Sequence, residues 1–140
     1  MNNEFVISVH ALVYLNYTQE TVASDRLAEN VCTNPVCIRR VMGKLKRAGL
    51  IETKEGALGG YKISESGSKC TLQKVGETLE TEYIKASWHS GNPDKDCMIC
   101  SKMAGIMDNV VEDMNHLCRE YLENITISDI EHRIFEENNI

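Results

Sequence analysis

Two kinds of side chain in these 140 residues have the chemistry and spacing to act: thiols and cations. There are six cysteines. Cys97-Met98-Ile99-Cys100 sets two of them in a Cys-x-x-Cys pair, and Cys32 precedes Thr33-Asn34-Pro35. Such thiols serve as metal ligands, as a redox switch or as the dithiol of an oxidoreductase. An oxidoreductase sets its dithiol at a helix start after a strand of a parallel α/β unit, and no strand-like run precedes Cys97. A nucleotide-binding Gly loop, paired catalytic carboxylates and a Ser-His-Asp order are also missing, so no catalytic residues and no enzyme are expected. Zinc takes four ligands, and beyond the pair His89 and Cys118 are the further donors. A redox switch needs fewer parts. Cys32, ahead of a helix N-terminus, is expected to be biased toward thiolate by unpaired N–H groups and the helix dipole, and so to be attacked first by an oxidant. Cys97 or Cys100, from a second subunit, then resolves it as a disulfide. The plain alternative for Cys32 is a core residue before a helix. Cys37 and Cys70 are expected to pack as small apolar residues.

The cations fall in one stretch. Between Val36 and Lys62, seven positive residues (Arg39, Arg40, Lys44, Lys46, Arg47, Lys54 and Lys62) stand against Glu52 and Glu55. From Cys97 onward three positive residues stand against nine negative ones, so a chain of net charge −6 has a basic head and an acidic rear. Arginine's planar fork matches guanine O6 and N7, which makes Arg39 and Arg40 the candidates for reading bases. Thr33, Lys44 and Arg47 are placed for phosphates, which orient a protein on DNA without specifying sequence. The bland alternative is a solvated basic face.

The segments around these residues must hold them in place. Ser24 is a candidate N-cap for a short helix, Asn34 caps the next, and Pro35 suits its first position. The helix from Val36 to Ala48 sets Ile38, Val41, Met42 and Leu45 on an inward face and leaves the cations outside. Gly49 ends it in a left-handed C′ position. Two strand-like runs, Leu50-Ile51-Glu52-Thr53 and Tyr61-Lys62-Ile63, flank a Gly-rich tip in which Gly59 and Gly60 take backbone conformations closed to other residues. The fold expected is mainly α with a small β-wing: a winged helix-turn-helix over residues 1–81, a linker or sensor loop over 82–99, and a dimerisation helix with a C-terminal helix over 100–140. Phe5 to Tyr17 reads as a helix with Val6, Val9, Leu12 and Leu15 in the core, and Thr71 to Thr81 as another. Along Cys100 to Glu123, Met103, Met107, Val110, Met114, Leu117 and Tyr121 alternate steps of four and three, the seam of a coiled coil, so a homodimer is expected.

Thr33-Asn34-Pro35, Arg39-Arg40, Lys44-Leu45-Lys46-Arg47-Ala48-Gly49-Leu50-Ile51 and Gly59-Gly60-Tyr61 together resemble the Rrf2 type of bacterial winged helix-turn-helix regulators, the family of IscR, NsrR and CymR. The resemblance covers most of the chain. It implies a sequence-specific DNA-binding regulator, a repressor of an operator in double-stranded DNA, with Thr33, Asn34, Pro35, Arg39, Arg40, Lys44, Arg47, Lys54, Gly59, Gly60 and Tyr61 at the DNA. Many relatives carry Glu and Gln where Arg39 and Arg40 stand, which implies a different operator. Some reach the minor groove with an Arg where this wing has Glu55, leaving Lys54 as the substitute. Members with an iron–sulfur cluster gather three cysteines before the dimer helix, and some add an acid from the first helix. Here there are Cys97 and Cys100 alone, with Val6 at the acidic position and His10 one turn on. The chain therefore resembles the cluster-free subgroup, some of which are redox sensors, and no cofactor is expected; the alternative is a cluster or zinc on Cys97 and Cys100. A second alternative is an adaptor that kept the fold and lost DNA. There is no apolar run long enough to span a bilayer and no signal peptide at Met1, so a cytoplasmic protein is expected, where cysteines remain thiols.

Overall fold

The computed structural model describes residues 1–136. Seven helices and one hairpin follow in order: α1 (Asn3–Thr18), α2 (Ser24–Val31), α3 (Pro35–Arg47), β1 (Ile51–Lys54), β2 (Gly60–Ile63), α4 (Glu65–Lys69), α5 (Leu72–Thr78), α6 (Met98–Glu123) and α7 (Ile127–Glu136). The architecture is mainly α with a small antiparallel wing, pairing Ile51 with Ile63 and Lys54 with Gly60. None of the described helices is long and apolar enough to cross a membrane.

Helix α1 is the hub, packing on α2, α3, α5, α7 and the second strand of the wing. Ala11, Leu12 and Leu15 are fully buried there, joined by Leu27, Ile38, Val41, Met42, Leu45 and Leu50. Asn2 caps α1 by accepting the Phe5 N–H at 3.0 Å, and Thr71 caps α5 by accepting that of Lys74 at 3.1 Å. Ser24, expected as the cap of α2, is instead its first helical residue. Ala23 holds the cap position and makes no side-chain bond, so the helix begins one residue earlier than a Ser24 cap would set it. Val6, expected in the core, is exposed. Phe5, Ala11 and Val13 take up the buried face, while Val6 lines an apolar groove of about 440 Å³ between α1 and α7, with Val9, His10, Ile130 and Phe135.

The C-terminal helix turns back onto the N-terminal one. Phe135 stacks on Tyr17 with ring centroids 4.9 Å apart, Asn16 donates to Glu131, and Ile127 is fully buried. Thr126 and Asp129 bond each other's backbone N–H groups at 2.9 and 3.0 Å, a reciprocal cap that holds the Asp129 carboxyl below its usual range. Between α5 and α6 the chain is clipped by one buried side chain. Asn115 accepts from the Tyr83 and Ile84 N–H groups at 3.0 Å each and donates to the Ile84 carbonyl at 2.8 Å.

Candidate nucleic-acid interface

Helix α3 is the centre of the basic surface. Asn34 Oδ1 accepts the Cys37 N–H at 2.8 Å and Pro35 fills the first turn, which fixes where the helix starts. Ala48 is its C-cap, and Gly49 follows at φ +77°, the left-handed residue that turns the chain into the wing. Ile38, Val41, Met42 and Leu45 have no exposure at all, so α3 cannot rotate without breaking the core. Its outward side carries Arg39, Lys46 and Arg47, all exposed. Val36, Gly43 and Arg47 run along its outermost line, and Val36 is 62 % exposed. Val36 and Gly43 were not singled out by charge or motif. Their signal is the spacing of seven and four residues on the face opposite the buried stripe.

The cations of α3 divide into two groups. Arg39 lies toward the wing: burial pushes the Tyr61 hydroxyl up, and the nearby Arg39 charge works against that shift. Arg40 and Lys44 turn the other way, toward α1. Lys44 Nζ donates to Glu4 Oε2 at 2.8 Å and Arg40 Nε to Glu4 Oε1 at 2.9 Å, and with these bonds the Glu4 carboxyl sits below its usual range. The two arginines expected side by side on bases are thus in different surroundings.

The wing is tied to the helix-turn-helix by its own backbone. Val22 and Tyr61 exchange N–H···O bonds of 2.8 Å in each direction. Gly60, at φ +152°, makes that approach possible, since a Cβ there would stand 2.2 Å from the Val22 carbonyl oxygen. At Gly59 a Cβ would stand 2.2 Å from the Lys54 carbonyl oxygen. The tip exposes Lys54, Glu55 and Leu58. Thr33, Asn34 and Pro35 lie at the N-terminal end of α3.

Cys32 does not stand where the dipole argument needs it. Cys32 is the C-cap of α2, left-handed at φ +64°, and its thiol donates to the Glu29 carbonyl at 3.6 Å. That is the electronegative end of a helix, where the macrodipole gives no help to a thiolate, so the expected bias is corrected. Cys97 is the exposed N-cap of α6 and Cys100 lies in its first turn, since α6 begins at Met98 rather than Cys100. Cys70 is in the core, where burial pushes its thiol up to about 11. Cys37, half-buried, has Sγ 3.9 Å from Arg40 Nη2.

A metal centre does not fit the donors of one chain. Cys118 is on the same helix as Cys100, about 27 Å along its axis, and His89 Nε2 is bound to Asp108 Oδ1 at 2.7 Å. Two thiols fall short of the four ligands of tetrahedral zinc or a cluster. Among the described residues no three His, Cys, Asp or Glu side chains come together to hold an ion.

Comparison with known proteins gives this head its family. The profile of the Rrf2 family, described as iron-dependent transcriptional regulators, matches residues 1–133. The chain belongs to the Rrf2 family. Among relatives of this Rrf2 protein, YwnA of Bacillus subtilis (strain 168), described as an HTH-type transcriptional regulator, is 22% identical over 135 residues, 96% of this chain and 99% of YwnA. A transcriptional regulator from Lactobacillus plantarum superposes with a TM-score of 0.82 at 23% identity, covering 96% of this chain and 91% of the other. IscR of T. potens superposes at 0.71 with 19% identity, covering 100% and 90%. Its relatives are regulators of transcription, not enzymes.

Proposed function

We propose that this Rrf2 regulator is a homodimeric, operator-binding repressor of the cytoplasm that reads the major groove with α3. The observation that carries the reading is α3 itself: a capped helix with one face locked into the core and Arg39, Lys46 and Arg47 exposed on the other. Arg39, free of the Glu4 contact, is the base reader. Thr33, Asn34 and the N-terminal turn at Pro35 meet phosphate through backbone and side-chain donors, and Arg47 does so from the last turn. Gly59, Gly60 and Tyr61 shape the wing, with Lys54 its cation for the flanking backbone.

The dimer reading rests on α6. Of its 26 residues, Asn115 and Leu122 are buried. Met107, Val110, Met114, Leu117 and Tyr121 are exposed and share one stripe with half-buried Met103 and exposed Ile106. A second copy of the same stripe covers it and sets two heads at a spacing for two half-sites.

Cys97 and Cys100 are the pair proposed for redox control. They occupy the cap and first turn of the long helix, Cys97 exposed and Cys100 half-buried, three positions apart. Hydrogen peroxide would convert one thiolate to sulfenic acid with release of hydroxide. The second thiol would then displace water to form the disulfide. The test is a gel shift across a salt series, with a duplex selected by the protein from a random pool and a scrambled duplex, before and after peroxide. Salt-sensitive preference for the selected duplex, lost on oxidation and restored by dithiothreitol, supports the reading. No preference between duplexes sinks it. Binding unaffected by oxidation removes the redox part alone.

A further inference from the structure

The surroundings of Glu4 differ from those of any other acid near the basic head. Among the described residues it is the one carboxylate in hydrogen-bond contact with α3, and it holds two cations at once: Arg40 Nε at 2.9 Å and Lys44 Nζ at 2.8 Å. Its own side chain is 21 % exposed, while that of Arg40 is 56 % exposed and that of Lys44 34 %. Arg40 and Lys44 are four residues apart, so they stand one above the other on the flank of α3 that faces α1, and a single carboxylate can span them. Glu4 lies in the first turn of α1, whose Leu12 and Leu15 are locked in the core, so its position is fixed by packing rather than by a mobile tail. Arg39, Lys46 and Arg47 have no such partner among the described residues.

Cations on a DNA-reading helix add affinity that does not depend on the bases. Each phosphate neutralised adds to non-specific binding and steepens its salt dependence by about 0.9 in the logarithmic slope. On a sequence where Arg39 meets no matching base, phosphate contacts supply essentially all of the affinity, so the added cations weigh most at the wrong sites, which far outnumber the right one. A carboxylate already seated on two of the cations opposes this. Backbone phosphate must displace it, which removes most of the gain, whereas base contacts by Arg39 are untouched.

We propose that Glu4 is a specificity-determining residue of the DNA-binding face, restraining Arg40 and Lys44 from indiscriminate phosphate binding so that tight binding depends on the bases met by Arg39. The inference rests on the reading of α3 as the recognition helix. It assigns a role to an acidic residue 36 positions from the cation it holds, on a different helix. Specificity arises here by lowering affinity for the wrong sequences as well as raising it for the right one.

The test is Glu4→Gln, which keeps the shape and loses the charge. Affinity is measured across a potassium chloride series on a duplex selected by the natural protein from a random pool and on a scrambled duplex of the same composition. The variant is expected to bind the scrambled duplex roughly tenfold more tightly at low salt, with a slope steeper by about 1 to 2. The selected duplex gains less, so the ratio of the two affinities falls. The triple variant Glu4→Gln, Arg40→Gln, Lys44→Gln loses the gain. Should Glu4→Gln not fold, Glu4→Asp, which keeps the charge but is one methylene too short to span both cations, gives a smaller change in the same direction. If the natural protein discriminates between the duplexes and Glu4→Gln discriminates equally well with the same slope, the role of Glu4 is overturned while the regulator reading stands. If the natural protein does not discriminate, both fail.

Discussion

Helices α3 and α6 answer differently to the same question, whether one chain can satisfy them. In α3, Ile38, Val41, Met42 and Leu45 are fully buried, a cap closes the N-terminus, and what remains outside is largely cationic. In α6, twice as long, Ile106, Met107, Val110, Met114, Leu117 and Tyr121 stay 36 to 67 % exposed. One helix is packed within its own chain and leaves Arg39, Lys46 and Arg47 without an anion among the described residues; the other lacks an apolar surface. A helix can thus advertise its partner by what its own fold leaves uncovered.

The comparison can be broken at either helix, and the largest effect is expected at α6. Val110→Asp would set an unpaired charge in the seam and is expected to cost about 3 kcal/mol or more of association, giving a monomer in sedimentation and a loss of DNA affinity of at least about a hundredfold. A dimer that survives the substitution would place the interface elsewhere. At α3, Arg39→Ala should lower affinity for a selected duplex by about 1–3 kcal/mol and relax preference at one base pair. Equal losses on scrambled DNA would mean that Arg39 touches phosphate alone.

Gly43 sharpens the contrast. It lies mid-helix on the outermost line of α3, its φ is not positive, and a Cβ there would meet one atom within 4 Å, the Arg47 guanidinium at 3.9 Å. The fold gives no reason for a residue that costs about 1 kcal/mol relative to alanine inside a helix. Gly43→Ala should therefore raise thermal stability by about that amount while weakening DNA binding, because the duplex must approach the backbone there. A variant more stable and equally tight on DNA would leave the glycine unexplained.

The smallest effect is expected at Cys70. Burial raises its thiol from 9.0 to about 11. A group with its folded value raised contributes stability that is present below pH 9 and lost as pH rises through about 11. Alkylation of folded protein should accordingly leave Cys70 unlabelled at neutral pH while the exposed Cys97 reacts. Early labelling of Cys70 would show that the α4–α5 junction opens readily.

Much of the reading head was legible because its signals are local. Asn34-Pro35, the four apolar positions of α3, Gly49 and Gly59-Gly60 each specify geometry within a few residues. The failures are of two kinds. Cys32 and Ser24 were assigned by adjacency, but a turn of one residue decides which end of which helix a side chain feels, and the left-handed Cys32 belongs to the end of α2. Glu4 with Arg40 and Lys44, Asn115 with the linker, and Phe135 with Tyr17 are contacts between distant parts of the chain, which no pattern within a window reveals. Val6 shows the same limit, since its apolar character fits a core equally well as the groove under α7.

Asn115 has a mechanical consequence. Its clip to the linker at Tyr83 and Ile84 falls two-thirds of the way along α6, leaving about 25 Å of helix on the side of Cys97 and about 12 Å on the side of Leu122. Helix and clip form a lever with unequal arms. Were the helix to pivot about Asn115, a displacement at the thiol end would reach the Leu122 end about halved in distance.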